Sequence, residues 1–157
     1  MKITKRHNVR LYPNIEQQAY LIQNLGNYRW VYNQSLAYRQ SFYAAHGKNP
    51  STKQVNEHLA ELKEEHEWLK LSDSASLQQA LRDLDDAYSR FFKHQNEEPV
   101  FKSKKGKNSF RTPYNGGNAR VEGNGLKIPK LRKPISFRGS PLPKEYKLLS
   151  VTIELTK

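Results

Sequence analysis

A chain of 157 residues without a single cysteine excludes a disulfide scaffold, a thiol nucleophile and any cysteine-ligated zinc or iron–sulfur centre. Its 27 Lys and Arg against 15 Asp and Glu leave a formal charge of +12, and an aromatic content of 11% argues against a disordered chain. The length suits one domain, or two small subdomains sharing a core. No apolar run reaches the length of a membrane span, and the start, Met1 to Arg6, lacks the apolar centre of a signal peptide. The expectation is a soluble, intracellular, basic protein.

Residues 2–12 read as a strand, with Ile3, Val9, Leu11 and Tyr12 among basic neighbours and Pro13 as the stop. From Asn14 the period becomes helical: Ile15, Ala19, Ile22 and Leu25 share one face, and Gly26 is expected to end the helix. A second helix, Asn27 to His46, carries aromatics all round and stops at Gly47. The pair resembles a helix-turn-helix hairpin, with Arg29, Asn33, Gln34 and Arg39 as candidate contacts to phosphates or bases. Ser51 or Thr52 can cap a third helix with a Val55, Leu59, Leu62 stripe. Ser72 or Asp73 can cap a fourth, where Leu77, Leu81, Leu84, Tyr88 and Phe91 give the clearest amphipathic pattern.

After His94 the texture changes. Lys102, Lys104, Lys105, Lys107 and Arg111 fall in a run without an acidic residue, with Phe101 and Phe110 interleaved. Lysines there would neutralise phosphates, and an exposed ring would stack on an unpaired base. Short β-like runs follow, broken by Asn115-Gly116-Gly117, Gly123-Asn124-Gly125, Pro129, Pro134, Gly139 and Pro141. Gly123-Asn124-Gly125 signals a hairpin, and Leu148 to Leu155 alternates like a strand. One strand at the start and several at the end predict an α+β fold. It is a small oligonucleotide-binding-like β-barrel (residues 1–12 plus 95–157), with a four-helix domain (13–94) inserted after the first strand.

Charge is segregated along this plan. Residues 1–50 hold 7 basic and 1 acidic side chains, residues 51–95 hold 6 and 9, and residues 96–157 hold 14 and 5. If the basic flanks meet in space, they form the electrostatic footprint of a nucleic-acid binder. Catalytic patterns are weak by comparison. His66-Glu67-Trp68-Leu69-Lys70 starts like a zinc-protease helix but has Lys70 where the second His is required. His58 and His66 are eight residues apart, too far to share a metal on a straight helix, and are expected to face solvent. Asp83, Asp85 and Asp86 invite a two-metal nuclease reading but fall mostly opposite the leucine stripe, which favours a solvated face.

Several strings carry a more specific signal. They are Val9-Arg10-Leu11-Tyr12-Pro13, Arg29-Trp30-Val31-Tyr32-Asn33, Leu77-Gln78-Gln79-Ala80-Leu81-Arg82-Asp83-Leu84, Pro99-Val100-Phe101-Lys102-Ser103-Lys104-Lys105 and Ser109-Phe110-Arg111-Thr112. In this order they resemble the N-terminal half of the TnpB (OrfB) family of transposon-encoded proteins, across essentially the whole chain. The resemblance implies a wedge barrel with an inserted recognition domain, in a prokaryotic, cytoplasmic protein acting at the nucleoid. It also implies RNA-guided DNA endonucleases, related to type V CRISPR effectors, that hold a transposon-end guide RNA and recognise target DNA beside a short motif. Their Asp-Glu-Asp RuvC site uses Mg²⁺, and a four-Cys ribbon binds Zn²⁺. On this reading both metals belong to a half beyond Lys157, so no catalytic residue and no metal site is carried over.

Binding roles are carried over by position. The resemblance implies DNA contacts at Thr52, Lys53, Asn56, Ser74, Gln78, Arg111 and Thr112, with the Gln78 amide suited to adenine. Some relatives carry a larger or basic residue at the positions of Thr52 and Ser74, so the preferred motif differs. Guide RNA and phosphates would meet Lys5, Arg6, Arg10, Arg29, Lys102, Lys104, Lys105, Lys107, Lys127, Lys130 and Lys133. Two other functions stay open: a stand-alone DNA-binding repressor or regulator of transposition, and one piece of a split nuclease completed by a separate or downstream RuvC chain.

Overall fold

The computed structural model describes residues 2–139, 142–143 and 145–156, so the expected turn at Pro141 and the two chain ends lie outside the described residues. The elements run β1 (Val9–Tyr12), α1 (Ile15–His46), α2 (Thr52–Glu65), a 3-10 turn (Glu67–Leu71) and α3 (Ser74–Phe92). The strands β2 (Asn108–Pro113), β3 (Arg120–Glu122), β4 (Gly125–Lys127), β5 (Ile135–Gly139) and β6 (Ser150–Leu155) follow. The α+β class and the placing of all helices between the first and second strands are as the sequence predicts.

The expected helical hairpin is instead one helix. α1 runs unbroken for 32 residues, about 48 Å, straight through Gly26. An interior glycine costs a helix only about 1 kcal/mol relative to alanine. Burial of Leu25, Tyr28, Val31 and Tyr32 around it outweighs that cost. Gly47 does stop the helix: it takes a φ of 68°, and its N–H donates to the Tyr43 carbonyl at 2.7 Å. The start is fixed by a reciprocal cap, in which Asn14 accepts from the Gln17 N–H at 2.8 Å and its own N–H donates to the Gln17 side chain at 2.9 Å.

Three layers surround α1. α2 runs back along it, with Tyr38 stacked on His58 at 4.2 Å and Trp30 against His66 at 4.9 Å. α3 runs in the same sense, pairing Asn24 with Ser76, Tyr28 with Asp83 and Arg39 with Asp85. On the strand side, Arg29 meets Asn108 and Asn33 meets Lys102. The expected Ile15, Ala19, Ile22 face is therefore wrong in orientation: Ile15 and Ile22 are 86% and 61% exposed. Inward positions belong to Gln17, Leu21, Asn24, Leu25 and Tyr28, because the Gln17 and Asn24 amides find internal partners. In α2 and α3 the expected stripes are buried except for the half-buried Phe91, and the caps are Ser51 and Asp73.

The strands do not close into one barrel. They form a four-stranded antiparallel sheet, ordered β1-β5-β4-β3, and a separate β2-β6 ladder. With three residues in β3 and β4 and four in β1, the first sheet is too short to wrap onto the second. Both instead cap the helices, and Phe110, Leu126, Ile135 and Ile153 join the core built by α1, α2 and α3. The first strand is also shorter than expected: Val9 pairs with Gly139, and among the described residues 2–8 take part in no strand. The β3–β4 hairpin forms as expected around Gly123 at φ 59°.

A Cβ added at Gly26 meets no atom within 4 Å. Gly26→Ala should therefore raise stability by about 1 kcal/mol, or about 2–4 °C in the thermal midpoint. A turn at this position would give the opposite sign, so a melting curve of the variant checks the continuity of α1.

Candidate nucleic-acid interface

The seam between α3 and β2 positions two of the candidate residues. Asp73 caps α3 by accepting from the Ala75 N–H at 3.1 Å, and its second oxygen accepts from the Thr112 hydroxyl at 2.8 Å. Thr112 is 1% exposed, so its hydroxyl is committed to this cap and it offers no surface to a base edge. Three turns further along α3, Asp83 accepts from the Tyr28 hydroxyl, from Gln79 at 2.9 Å and from Arg111 at 3.4 Å. Asp83 thus faces the protein rather than solvent, contrary to expectation; Asp86 is exposed, and Asp85, largely exposed, holds the buried Arg39 at 2.8 Å. Arg111 keeps 43% of its side chain exposed while tethered, which leaves part of its guanidinium free for an anion.

Burial pushes the Tyr28 hydroxyl well above the usual tyrosine range, and its hydrogen bond to the Asp83 carboxylate adds to the shift. Tyr20 is pushed up in the same way, first by burial and then by the Asp73 charge.

The other candidate DNA contacts are at the surface. Thr52, Lys53 and Asn56 lie exposed on the first turns of α2, and Ser74 and Gln78 lie exposed on the first turns of α3. They form two separate patches. Ser74 is held by Lys63, whose ammonium donates to its hydroxyl at 3.0 Å, so the start of α3 sits beside the end of α2. Thr52 is 11 residues back along the same helix, roughly 16 Å away.

Among the candidate phosphate contacts, Lys102, Lys104, Lys105 and Lys107 occupy one exposed loop. Asn33 fastens it to α1, donating to the Lys102 carbonyl at 2.9 Å and accepting from its N–H at 2.7 Å. The Lys102 ammonium lies 4.6 Å from the Tyr32 ring centre. Beside it, Tyr32 and residues 98–103 line an open groove of about 370 Å³. Of the two interleaved rings, Phe101 is 52% exposed, whereas Phe110 is a core residue and is unavailable for stacking. Lys5 and Arg6 are exposed ahead of β1, and Arg10 is exposed on it. Lys130 and Lys133 are also exposed.

Three cations are spent internally. Arg29 donates to Asn108 at 3.0 Å, Arg39 is buried against Asp85, and Lys127 donates to the Ile128 and Leu131 carbonyls. The two central histidines depart from the expected solvent-facing placement. His66 packs between Trp30 and Trp68, and His58 is half-buried on Tyr38, where desolvation lowers its pKa. Among the described residues no three His, Asp or Glu side chains converge, and the chain has no cysteine. Neither a two-metal carboxylate centre nor a Cys₄ zinc site fits the residues present.

The amides and hydroxyls of this framework were invisible as such in the sequence. Asn27, for instance, donates to Ser72 at 2.7 Å and to the Trp68 carbonyl at 3.3 Å, fixing the 3-10 turn. Gln17 reaches the carbonyls of Lys133 and Pro134 at 3.1 and 3.2 Å, tying the start of α1 to the four-stranded sheet. The only signal for either was a polar residue at a helical position that the apolar period skips.

A family model described as a helix-turn-helix domain, of the OrfB IS605 type, matches residues 1–48, the span of β1 and α1. The chain is 32% identical over 155 residues to a Streptomyces pristinaespiralis protein named as an RNA-guided DNA endonuclease; the alignment covers 97% of this chain and 38% of that protein. It is 32% identical over 133 residues to InsQ of Escherichia coli K12, also named as an RNA-guided DNA endonuclease, covering 83% of this chain and 33% of that protein. Virulence protein VsdF of Salmonella dublin is 36% identical over 110 residues, which are 63% of this chain and 92% of VsdF. The chain thus spans only 38% and 33% of the lengths of the first two relatives.

Thr112→Val should cost about 1–3 kcal/mol in a urea unfolding experiment, because a buried Asp73 oxygen loses its donor, and Thr112→Ser should cost less. A raised tyrosine pKa makes the folded state the tighter proton binder, so stability is intact below the unfolded pKa and falls as pH rises past about 10. Tyr28→Phe should be less stable at neutral pH but lose less between pH 10 and 12, as followed by urea midpoints across that range.

Proposed function

The chain belongs to the TnpB/OrfB family, and from that premise we propose that it is the nucleic-acid-binding portion of a transposon-encoded, RNA-guided DNA nuclease. Transposon-end RNA would lie along the Lys102–Lys107 loop and the neighbouring sheets. Target-adjacent DNA would meet the two exposed helix starts, Thr52, Lys53 and Asn56 on one and Ser74 and Gln78 on the other, with the tethered Arg111 on a phosphate. The observation that carries the reading is the loop: four exposed lysines, none paired with a carboxylate among the described residues, on a backbone anchored by Asn33. Unpaired cations on a held backbone release counterions from a polyanion without first breaking ion pairs of their own. Cutting would then depend on a Mg²⁺-dependent RuvC portion, supplied in the same or another chain.

VsdF favours a second reading. That relative is hardly longer than the aligned stretch, so a protein of this extent exists in the group under a name that mentions no nuclease. A free-standing DNA-binding regulator of a promoter or transposon end is consistent with that. The two readings separate by ligand: the first requires the RNA, the second requires only duplex DNA.

Fluorescence anisotropy should show transposon-end RNA binding tighter than a scrambled RNA of equal length; equal affinities defeat the guide-RNA reading. Changing Lys104 and Lys105 together to Gln should weaken both RNAs alike and flatten the log–log salt dependence by about 1.4. Gln78→Ala should instead cost about 1–3 kcal/mol on motif-bearing duplex alone.

A further inference from the structure

The outer face of the four-stranded sheet carries an arrangement that neither helix start nor lysine loop accounts for. Along β1, Val9 and Leu11 turn inward while Arg10 and Tyr12 are exposed; along β5, Ser136 and Arg138 are exposed. The β1–β5 register sets Arg10 directly opposite Arg138 and Tyr12 opposite Ser136. Like charges directly opposite each other on an antiparallel pair are destabilising. Here they are held together, because both guanidiniums lie over one ring, Arg10 at 5.7 Å and Arg138 at 5.3 Å from the Tyr12 centre. Among the described residues neither guanidinium meets a carboxylate within 4.0 Å. An open groove of about 530 Å³ that borders Arg138 is lined by Val121, Phe137 and Leu142 as well as Asn124 and Tyr146, and so belongs to the other face of the sheet.

We propose that Arg10, Arg138 and Tyr12 form a clamp for a phosphodiester of a nucleic-acid backbone, with Tyr12 as the platform that holds both guanidiniums in place. An anion between the two arginines converts their repulsion into two attractions, and each planar guanidinium can present paired N–H groups to phosphate oxygens. This inference rests on the nucleic-acid-binding function proposed above and names the residues of the four-stranded sheet that would hold a phosphodiester. RNA and DNA offer the same phosphodiester, so both are probed.

The test uses the full chain with a single-stranded RNA oligonucleotide and a DNA of the same sequence, titrated over a range of salt. Arg10→Gln combined with Arg138→Gln should flatten the log–log salt slope by about 1.4, and Tyr12→Leu should weaken binding roughly two- to fivefold. Arg10→Lys combined with Arg138→Lys should keep the slope and lose affinity. A change with only one of the two oligonucleotides assigns the clamp to that strand type. The glutamine variant should melt at or above the wild type, since a like-charge pair is removed; if it melts earlier, Arg138→Gln alone decides, through a slope change of about 0.7. An unchanged slope, in a chain where the Lys104/Lys105 variant does lower it, overturns the clamp and leaves the proposed function standing. A wild-type chain that binds neither oligonucleotide overturns both.

Discussion

Two carboxylates on α3 determine how the strands sit on the helices. Asp73 and Asp83 are ten residues apart, roughly 15 Å along the axis, yet they receive consecutive residues of β2. The short Thr112 hydroxyl has to lie directly against the cap, and the long arm of Arg111 spans the remaining distance. Asp83 also receives Tyr28 from α1 and Gln79 from its own helix, so three elements meet on one side chain. A buried polar network of this kind rigidifies only when every member is paired, because each orphaned group carries its full desolvation cost. Here it fixes the angle between the helical layer and the β2–β6 ladder, and with it the separation of the exposed loop from the exposed helix starts.

The same logic explains why α1 shows so little amphipathic pattern. A helix covered by α2, by α3 and by the strand side has no exposed residue between Asn24 and Arg39, and the aromatics of that stretch point in every direction because each finds a neighbour. Its first turns, where Ile15 and Ile22 stand exposed, and its last turns from Gln40, where Tyr43 is exposed, are largely bare. Among the exposed surfaces, those that carry the candidate contacts are the first turns of α2 and α3, the lysine loop, and the outer face of the four-stranded sheet. These surfaces rest on rigid supports: a capping box under α2, the Asp73 cap under α3, and Asn33 under the loop. A charge held in place loses less entropy on binding than one on a free tail.

Legibility followed the physics of each signal. The stripes of α2 and α3, the Gly47 stop and the Gly123-Asn124 hairpin were readable because periodicity and positive φ are local properties. Gly26 misled because glycine is a breaker only where burial does not compensate it, and burial is a tertiary quantity. Phe110 looked like a stacking ring and Asp83 like a solvated acid for the same reason: a sequence shows residue type but not what lies opposite. The single barrel failed on strand length, which the turn formers around Asn115 and Gly123 hinted at but did not fix. Of the candidate site, the exposed lysines were legible from composition. The internal commitment of Thr112, Arg29 and Lys127 was not, since the first two depend on partners 39 and 79 residues away and the third on backbone carbonyls.

The segregation of charge along the chain acquires a spatial meaning through β1 and β5. Their pairing brings the basic N-terminal and C-terminal flanks into one sheet, where Arg10 faces Arg138. The acidic middle does not simply cancel them. Asp73 and Asp83 are consumed by the α3–β2 seam and Asp85 by Arg39, while Glu57 is within reach of Lys53. Of the acids left exposed, Glu61, Glu64 and Glu65 lie together in the second half of α2, with Glu67 just after it and Asp86 on α3. A polyanion approaching the molecule is therefore repelled from that stretch of α2 and drawn to the sheet and the loop, which orients it before any specific contact is made. Under the proposed function, the helix starts would then meet a nucleic acid already held by its backbone, which is the order in which phosphate contacts set register and base contacts read sequence.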